Sequence, residues 1–449
     1  MNYSIIIYII GMILEIEAAF MVLPVVTALI YQEISGVAFL ITIVLCLAIG
    51  IPLTWKKPTR KAFYTKEGFV TVALSWIVLS IMGAIPFVLS HSIPNPVDAL
   101  FETVSGFTTT GASILSNVEA LPHCMLIWRS FTHWIGGMGV LVFILSLLPL
   151  TGGYHMNLMK AESPGPSVSK LVPKVQSTAK ILYTIYIILT VVEIIFLLIG
   201  KMPLFDTLCL SFGTAGTGGF GIKNDSIASY STYNQVVITV FMILFGINFN
   251  AYYLLLTKKV MQAAKNEEVR YYLGIIGLAI VAIAINTREM FTSFGRAFQQ
   301  AAFQVGSIIT TTGYATTDFN VWPVFSKTIL VILMFVGACA GSTGGGIKVS
   351  RLLILCKSAR KELQLYLHPN AVKKIKMDDK AIPHEVVRAT NMFLFVYIMI
   401  FVTSLLIISL DNLDMVSNFT AIAATLNNIG PGLGAVSYTH LRAHETDSY

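Results

Sequence analysis

The stretch Thr108-Thr-Thr-Gly111-Ala-Ser113 decides how this chain folds, because it recurs. Gly216-Thr-Gly-Gly219-Phe-Gly221, Thr310-Thr-Thr-Gly313-Tyr-Ala315 and Asn427-Asn-Ile-Gly430-Pro-Gly432 follow the same plan. Aligned on Gly111, Gly219, Gly313 and Gly430, the tracts lie 108, 94 and 117 residues apart. Thr109, Thr217, Thr311 and Asn428 stand two positions before those glycines. Each tract follows an apolar segment too short to cross a bilayer. A single Gly/Thr tract reads as a loop or a close-packing patch, since small residues recur where membrane helices meet. Four in one chain predict a repeated unit. They also predict a ring of backbone carbonyls around one axis, which is how a potassium filter is built.

Composition places the ring in a membrane. Hydrophobic residues make up 55% of the 449 residues and charged residues 12%, against roughly 25% charged in soluble domains. Apolar runs of about 20 residues predict an all-α polytopic membrane protein. The net charge of +7 is then a topology signal rather than a nucleic-acid signal. Cys46, Cys124, Cys209, Cys339 and Cys356 show no CxxC or paired spacing and read as small hydrophobes. The apolar N-terminal stretch Ile5 to Ile30 lacks a basic n-region and holds Glu15 and Glu17, which predicts a retained helix rather than a signal peptide.

The basic residues orient the chain. Of 30 Lys and Arg, 22 fall in the segments 56–66, 160–180, 258–270 and 351–388, and none lies between Ser90 and Ile127. The positive-inside rule makes the basic segments and the N-terminus cytoplasmic and the four tracts external. Each tract then follows a re-entrant pore helix. The predicted organisation is an N-terminal helix pair (1–55, helices at about 5–30 and 36–54), followed by repeats of helix, pore helix, tract and second helix. Repeat one spans 67–151, with its second helix at 124–150. Repeat two spans 180–258, with a second helix at 234–257. Repeat three spans 270–352, with helices at about 271–286 and 326–351. Repeat four spans 389–437 and stops after its tract.

Irregular backbone at membrane depth is tolerated only where protein buries it or water lines it. Glycine lets such backbone adopt positive φ and lets chains approach closely, so four tracts together can replace the hydration shell of a dehydrated cation. The predicted ion-binding positions are Thr109, Thr110 and Gly111; Thr217, Gly218 and Gly219; Thr311, Thr312 and Gly313; and Asn428, Ile429 and Gly430. No carboxylate lies in them, which points to carbonyls rather than acidic rings as ligands. The expected ligand is potassium, with no organic cofactor expected. A separate Gly341-Ser-Thr-Gly-Gly-Gly346 run interrupts the second helix of repeat three. Three successive glycines, at roughly 1 kcal/mol each relative to alanine, predict a break there.

Ser105-Gly-Phe-Thr-Thr-Thr-Gly-Ala-Ser113, Gly216 to Phe220, Thr310 to Tyr314, Gly341 to Lys348 and Asn427 to Gly434 together resemble the membrane subunit of the Trk/Ktr/HKT superfamily of potassium transporters. Among its branches the bacterial TrkH type is most similar, and the likeness covers about residues 1–437. The resemblance implies four M1-P-M2 units around one pore, a homodimer, and a cytosolic nucleotide-binding regulatory subunit (TrkA-like). It also implies residence in the bacterial inner membrane. A glycine in every filter position resembles potassium-selective members. The Gly344-Gly345-Gly346 run is implied to be a mobile gate beneath the filter. Lys348 either repels the cation in the closed state or snorkels to the interface.

Two other functional classes are weaker. An alternating-access carrier would show inverted repeats, whereas these repeats enter the membrane in one orientation; a sodium/potassium-coupled symporter stays open as a variant. A membrane enzyme would need an HExxH or Ser/His/Asp set, and none stands out. Among single residues, Glu102 either tunes the pore or is structural, and Glu193 needs an internal partner. Asp98 and Asp206 read as N-caps and Arg129 as an interface anchor. His123, His133 and His155 lack zinc spacing. The basic 357–388 loop, with Lys373-Lys-Ile-Lys376, fits lipid headgroups or a partner. After Ser437 the chain turns polar where ~20 apolar residues of a fourth second helix would follow. This predicts a foreign junction near Val436–Tyr438 and a non-native tail at 438–449, without the basic residue the resemblance implies in that helix.

Overall fold

The computed structural model describes residues 2–58, 64–139, 175–368, 370 and 374–434. The end of the first repeat's second helix, His155, Lys373 and the tail lie outside them. Among the described residues the regular structure is helical apart from one two-stranded hairpin. Six helices among the described residues are long and apolar enough to cross a membrane, or seven if one bent pair counts as a single span.

The N-terminal pair is α1 (Tyr3–Phe20), α2 (Val22–Tyr31) and α3 (Gly36–Thr54). The single helix expected at 5–30 is broken at Met21. Pro24 has no N–H to give to Phe20 O, so the ladder lapses there. Repeat one holds α4 (Thr65–Leu89), pore helix α5 (Pro96–Phe107) and α6 (His123–Met138). Repeat two holds α7 (Val175–Ile199), pore helix α8 (Leu204–Ala215), α9 (Thr232–Phe245) and α10 (Phe249–Leu256), with the short α11 (Val260–Ala264) after it. Repeat three holds α12 (Glu267–Asn286), pore helix α13 (Phe294–Ile309), α14 (Val324–Val336) and α15 (Val349–Leu367). Strands β1 (Lys376–Met377) and β2 (Lys380–Ala381) lead to repeat four, with α16 (His384–Ile408) and pore helix α17 (Met415–Leu426).

Three of the pore helices have 12 residues, which gives each about 18 Å of length at 1.5 Å per residue. That is well short of the ~30 Å hydrocarbon layer. Asn95, Ser293 and Asp414 cap three of the four with side-chain acceptors. Asp98 and Asp206 are not the caps. They sit in first turns, where their charge meets the helix dipole, and Asp206 also accepts the Tyr230 hydroxyl at 2.8 Å.

The second helix of repeat two departs from the continuous 234–257 expectation. It stops at Gly246, turns by 90°, and restarts at Phe249 with Asn248 as cap. Apolar periodicity continues through the break, so hydropathy alone reads one helix. The break in repeat three falls between Gly337 and Lys348, as the glycine run predicts.

Apolar cores fasten these units. The N-terminal pair and repeat one pack around Phe39, Phe107 and Trp128. Repeats three and four share a core around Tyr272, Phe319 and Met334. Repeat two packs around Tyr186 and Phe245 and takes in Phe303 and Tyr314 of repeat three. Among the described residues no group donates a hydrogen bond to Glu193. Its two oxygens are buried without a hydrogen bond, and the Thr214 hydroxyl donates to Leu210 O instead.

Candidate ion pathway

All four pore helices end the same way. The residue two positions before each aligned glycine, Thr109, Thr217, Thr311 or Asn428, takes a left-handed φ of 51° to 59°. Its N–H returns to the carbonyl three residues back (Gly106, Thr214, Ile308 or Thr425), and the next N–H reaches Ser105, Gly213, Ser307 or Ala424 O. These paired bonds form a Schellman ending, a position where glycine is usual. Threonine there is strained, since a β-branched residue at positive φ is a true outlier. Three threonines and one asparagine held in this state make four congruent turns.

The turns close on each other in chain order. A Cβ on Gly111 would lie 2.0 Å from Gly218 O, one on Gly219 1.9 Å from Thr312 O, and one on Gly313 2.1 Å from Ile429 O. The fourth junction is looser: a Cβ on Gly430 would lie 2.9 Å from Thr110 O. Each glycine thus abuts the backbone carbonyl just before the next glycine, around a closed ring of four. Sequence spacing pointed to a ring; only the fold shows which carbonyl meets which glycine. A side-chain bond adds to the loose junction, with Thr110 Oγ1 donating to Asn428 Oδ1 at 2.9 Å.

Buried polar bonds brace the ring from behind. Glu102 on α5 is 1% exposed and Arg129 on α6 2%. Arg129 Nη2 and Nε both lie 2.7 Å from Glu102 Oε1. Glu102 also accepts the Ser113 hydroxyl and the Ile114 N–H, while Arg129 donates to Gly221 O and lies over the Phe220 ring. The pair therefore ties the ends of tracts one and two together. Arg129 is not an interface anchor. The α6–α5 packing turns it inward onto a carboxylate, a pairing that spacing along the chain does not reveal. In tract three the same office falls to neutral groups: Ser307 Oγ donates to Tyr314 O at 2.6 Å, and Tyr314 OH reaches Leu210 O at 3.2 Å. His133 packs behind Gly218, with neither ring nitrogen hydrogen-bonded.

The loop between α14 and α15 lies against the tract starts. Gly345 N–H donates to Thr311 Oγ1 at 2.6 Å. A Cβ on Gly345 would lie 2.5 Å from Asn427 O, and one on Gly344 2.8 Å from Thr310 O. Gly346 backs onto Gly337, the other end of the loop. Lys348, at φ 78°, folds back so that its Nζ bonds Gly344 O. Its side chain is engaged within the loop and does not extend to an interface. Cys339 N–H donates to Gly246 O and Phe249 N–H to Gly341 O, so the breaks of repeats two and three are stitched together. No reading of the sequence singled out that joint, or Glu268 beside it; the Asn248 cap signal after Gly246 was the available clue.

This architecture has known counterparts. The family model described as TrkH, cation transport protein, matches residues 35–448. The chain belongs to the TrkH family. The Trk system potassium uptake protein TrkH of Salmonella typhimurium is 38% identical, over 97% of this chain and 92% of the relative. The protein of the same name from Escherichia coli K12 is 37% identical with the same coverage. Among solved structures, the crystal structure of the potassium transporter TrkH from Vibrio parahaemolyticus superposes with a TM-score of 0.87 at 34% identity. It covers 97% of this chain and 92% of that one.

Proposed function

We propose that this protein takes up potassium across the bacterial inner membrane, with the four-tract ring as its selectivity filter. The closed ring carries the reading: four congruent turns bring four backbone carbonyls together without a carboxylate among them. The relatives' description as potassium uptake proteins supports the choice of ion. Carbonyl ligands replace part of the cation's hydration shell.

In this reading the ring residues from Thr109 to Gly111, Thr217 to Gly219, Thr311 to Gly313 and Asn428 to Gly430 contact potassium. The Gly344–Gly346 loop is the gate, because it covers the tract starts, the ends of the four external tracts that lie deepest in the membrane when the pore helices enter from outside. Lys348 adds a positive charge to that plug. A cytosolic nucleotide-binding subunit acting on the cytoplasmic loops, and a second copy of the chain, complete the proposed assembly, with the N-terminus cytoplasmic.

Rubidium flux into proteoliposomes tests the ion. Potassium should compete strongly and sodium weakly; equal competition by sodium overturns the potassium reading. The gate has its own test. Gly345→Ala pushes a methyl group against Asn427 O, so the loop must back away from the ring. Basal rubidium flux should then rise several-fold with no regulatory subunit present, and deletion of Gly344–Gly346 should raise it further. Unchanged flux in both variants sinks the gate.

A further inference from the structure

The intramembrane loop runs from Gly337, after α14, to Lys348, before α15. Helix α15 restarts after Lys348 without a side-chain cap, leaving first-turn N–H groups that need acceptors. The acceptor comes from another helix. Glu268, in the first turn of α12 and 3% exposed, takes the Ala340 N–H at 2.7 Å and the Ser350 N–H at 3.1 Å, both on Oε1. Its Oε2 accepts Asn248 Nδ2 at 3.2 Å. Asn248 in turn caps α10 through its Oδ1, which accepts the Asn250 N–H at 2.9 Å. One carboxylate thus holds both sides of the loop and the break between α9 and α10.

We propose that Glu268 is the positioning residue of the intramembrane loop, a latch whose three hydrogen bonds set the loop's rest position against the ring. The proposal rests on the gate reading above for its effect on flux, but not for its effect on the loop. Negative charge suits the start of α15, where the helix dipole is positive, and bonds to a charged acceptor are stronger than neutral ones. The same oxygen serves Ala340 and Ser350, so neither flank of the loop can leave without loosening the other. The surroundings stiffen this point. Asp378 of the β1–β2 turn accepts the Glu267 N–H at 2.7 Å, and Glu267 pairs with Lys357 of α15 at 2.5 Å. The first turn of α12 is therefore tied to the hairpin, to α15 and to the loop at once.

Cys339, next to Ala340 and fully buried, is a native reporter. Cys46, Cys124 and Cys209 are buried elsewhere and serve as folding controls, while Cys356 is exposed. N-ethylmaleimide labelling of the protein in proteoliposomes, read cysteine by cysteine by peptide mass spectrometry, tests the latch. In Glu268→Ala, Cys339 should label roughly tenfold faster, the scale of losing a hydrogen bond to a charged acceptor, with the three controls still protected. Asn248→Asp should do the same by setting two carboxylates face to face. Glu268→Gln places an amide donor against the Asn248 amide and should give a smaller rise. The double variant Glu268→Gln with Asn248→Asp restores a donor opposite an acceptor, keeps the α10 cap, and should return Cys339 to wild-type protection.

Should Glu268→Ala unfold, all four buried cysteines label together, and Asn248→Asp against the double variant decides the matter. Protection of Cys339 unchanged in Asn248→Asp, or no rescue in the double variant, overturns the latch. Basal rubidium flux should rise in step with Cys339 labelling; labelling without flux supports the latch and overturns the gate reading.

Discussion

Gly219→Ala is expected to reduce rubidium flux in proteoliposomes to the level of empty vesicles. Its Cβ would sit 1.9 Å from Thr312 O, far inside any real contact, and the obstacle is backbone that cannot rotate away. Gly219 also has φ of 79°, where a side chain costs about 1–2 kcal/mol even in free space. The substitution must therefore push tract two from tract three and break the ring at that junction. Gly111→Ala and Gly313→Ala face equivalent carbonyls at 2.0 and 2.1 Å and should behave alike. Gly430→Ala meets its nearest atoms only at 2.9 Å, so it should retain measurable flux with weakened preference for potassium over sodium. The ranking is checked by initial rates with each cation as competitor. Wild-type rate and preference in Gly219→Ala would remove the ring from the conduction path.

The second large effect is on stability. Arg129→Met strips the counter-charge from Glu102 and leaves a buried carboxylate with only the Ser113 hydroxyl and the Ile114 N–H. Breaking a buried ion pair by removing one partner costs about 3–5 kcal/mol. In detergent, the midpoint of thermal unfolding followed by size-exclusion chromatography should fall sharply. The double variant Glu102→Met with Arg129→Met removes both charges and should recover most of that loss, because replacing a whole buried pair is often neutral. Equal losses in single and double variants would mean that shape, not charge, matters at this site. Flux should also fall in Arg129→Met, since the pair joins Ser113 at the end of tract one to Gly221 at the end of tract two.

Much of the ring was legible in the chain. Glycine tracts recurring after short apolar segments mark where helices must stop, and each of the four aligned glycines does follow a helix end. Those are local properties: the Thr-Gly turn and the segment length each depend on a few consecutive residues. The break in the second helix of repeat two was missed because its residues stay apolar through Gly246, and hydropathy does not record a 90° turn. Arg129 was misread for a related reason. An arginine beside Trp128 has the local look of an interface residue, and its partner Glu102 lies 27 positions away on another helix.

The sequence by itself determined that this is an all-α membrane protein with four recurring glycine tracts and a separate glycine run that breaks a helix. It did so because bilayer thickness, helix length and the steric freedom of glycine act on short stretches of chain. Only the tertiary structure decided how the four turns close, with each glycine against the neighbouring carbonyl and one junction looser than the rest. It alone paired Glu102 with Arg129 and set Glu268 across both ends of the intramembrane loop. Those contacts join residues tens to hundreds of positions apart, and a buried carboxylate acquires its partners from whichever helices pack around it.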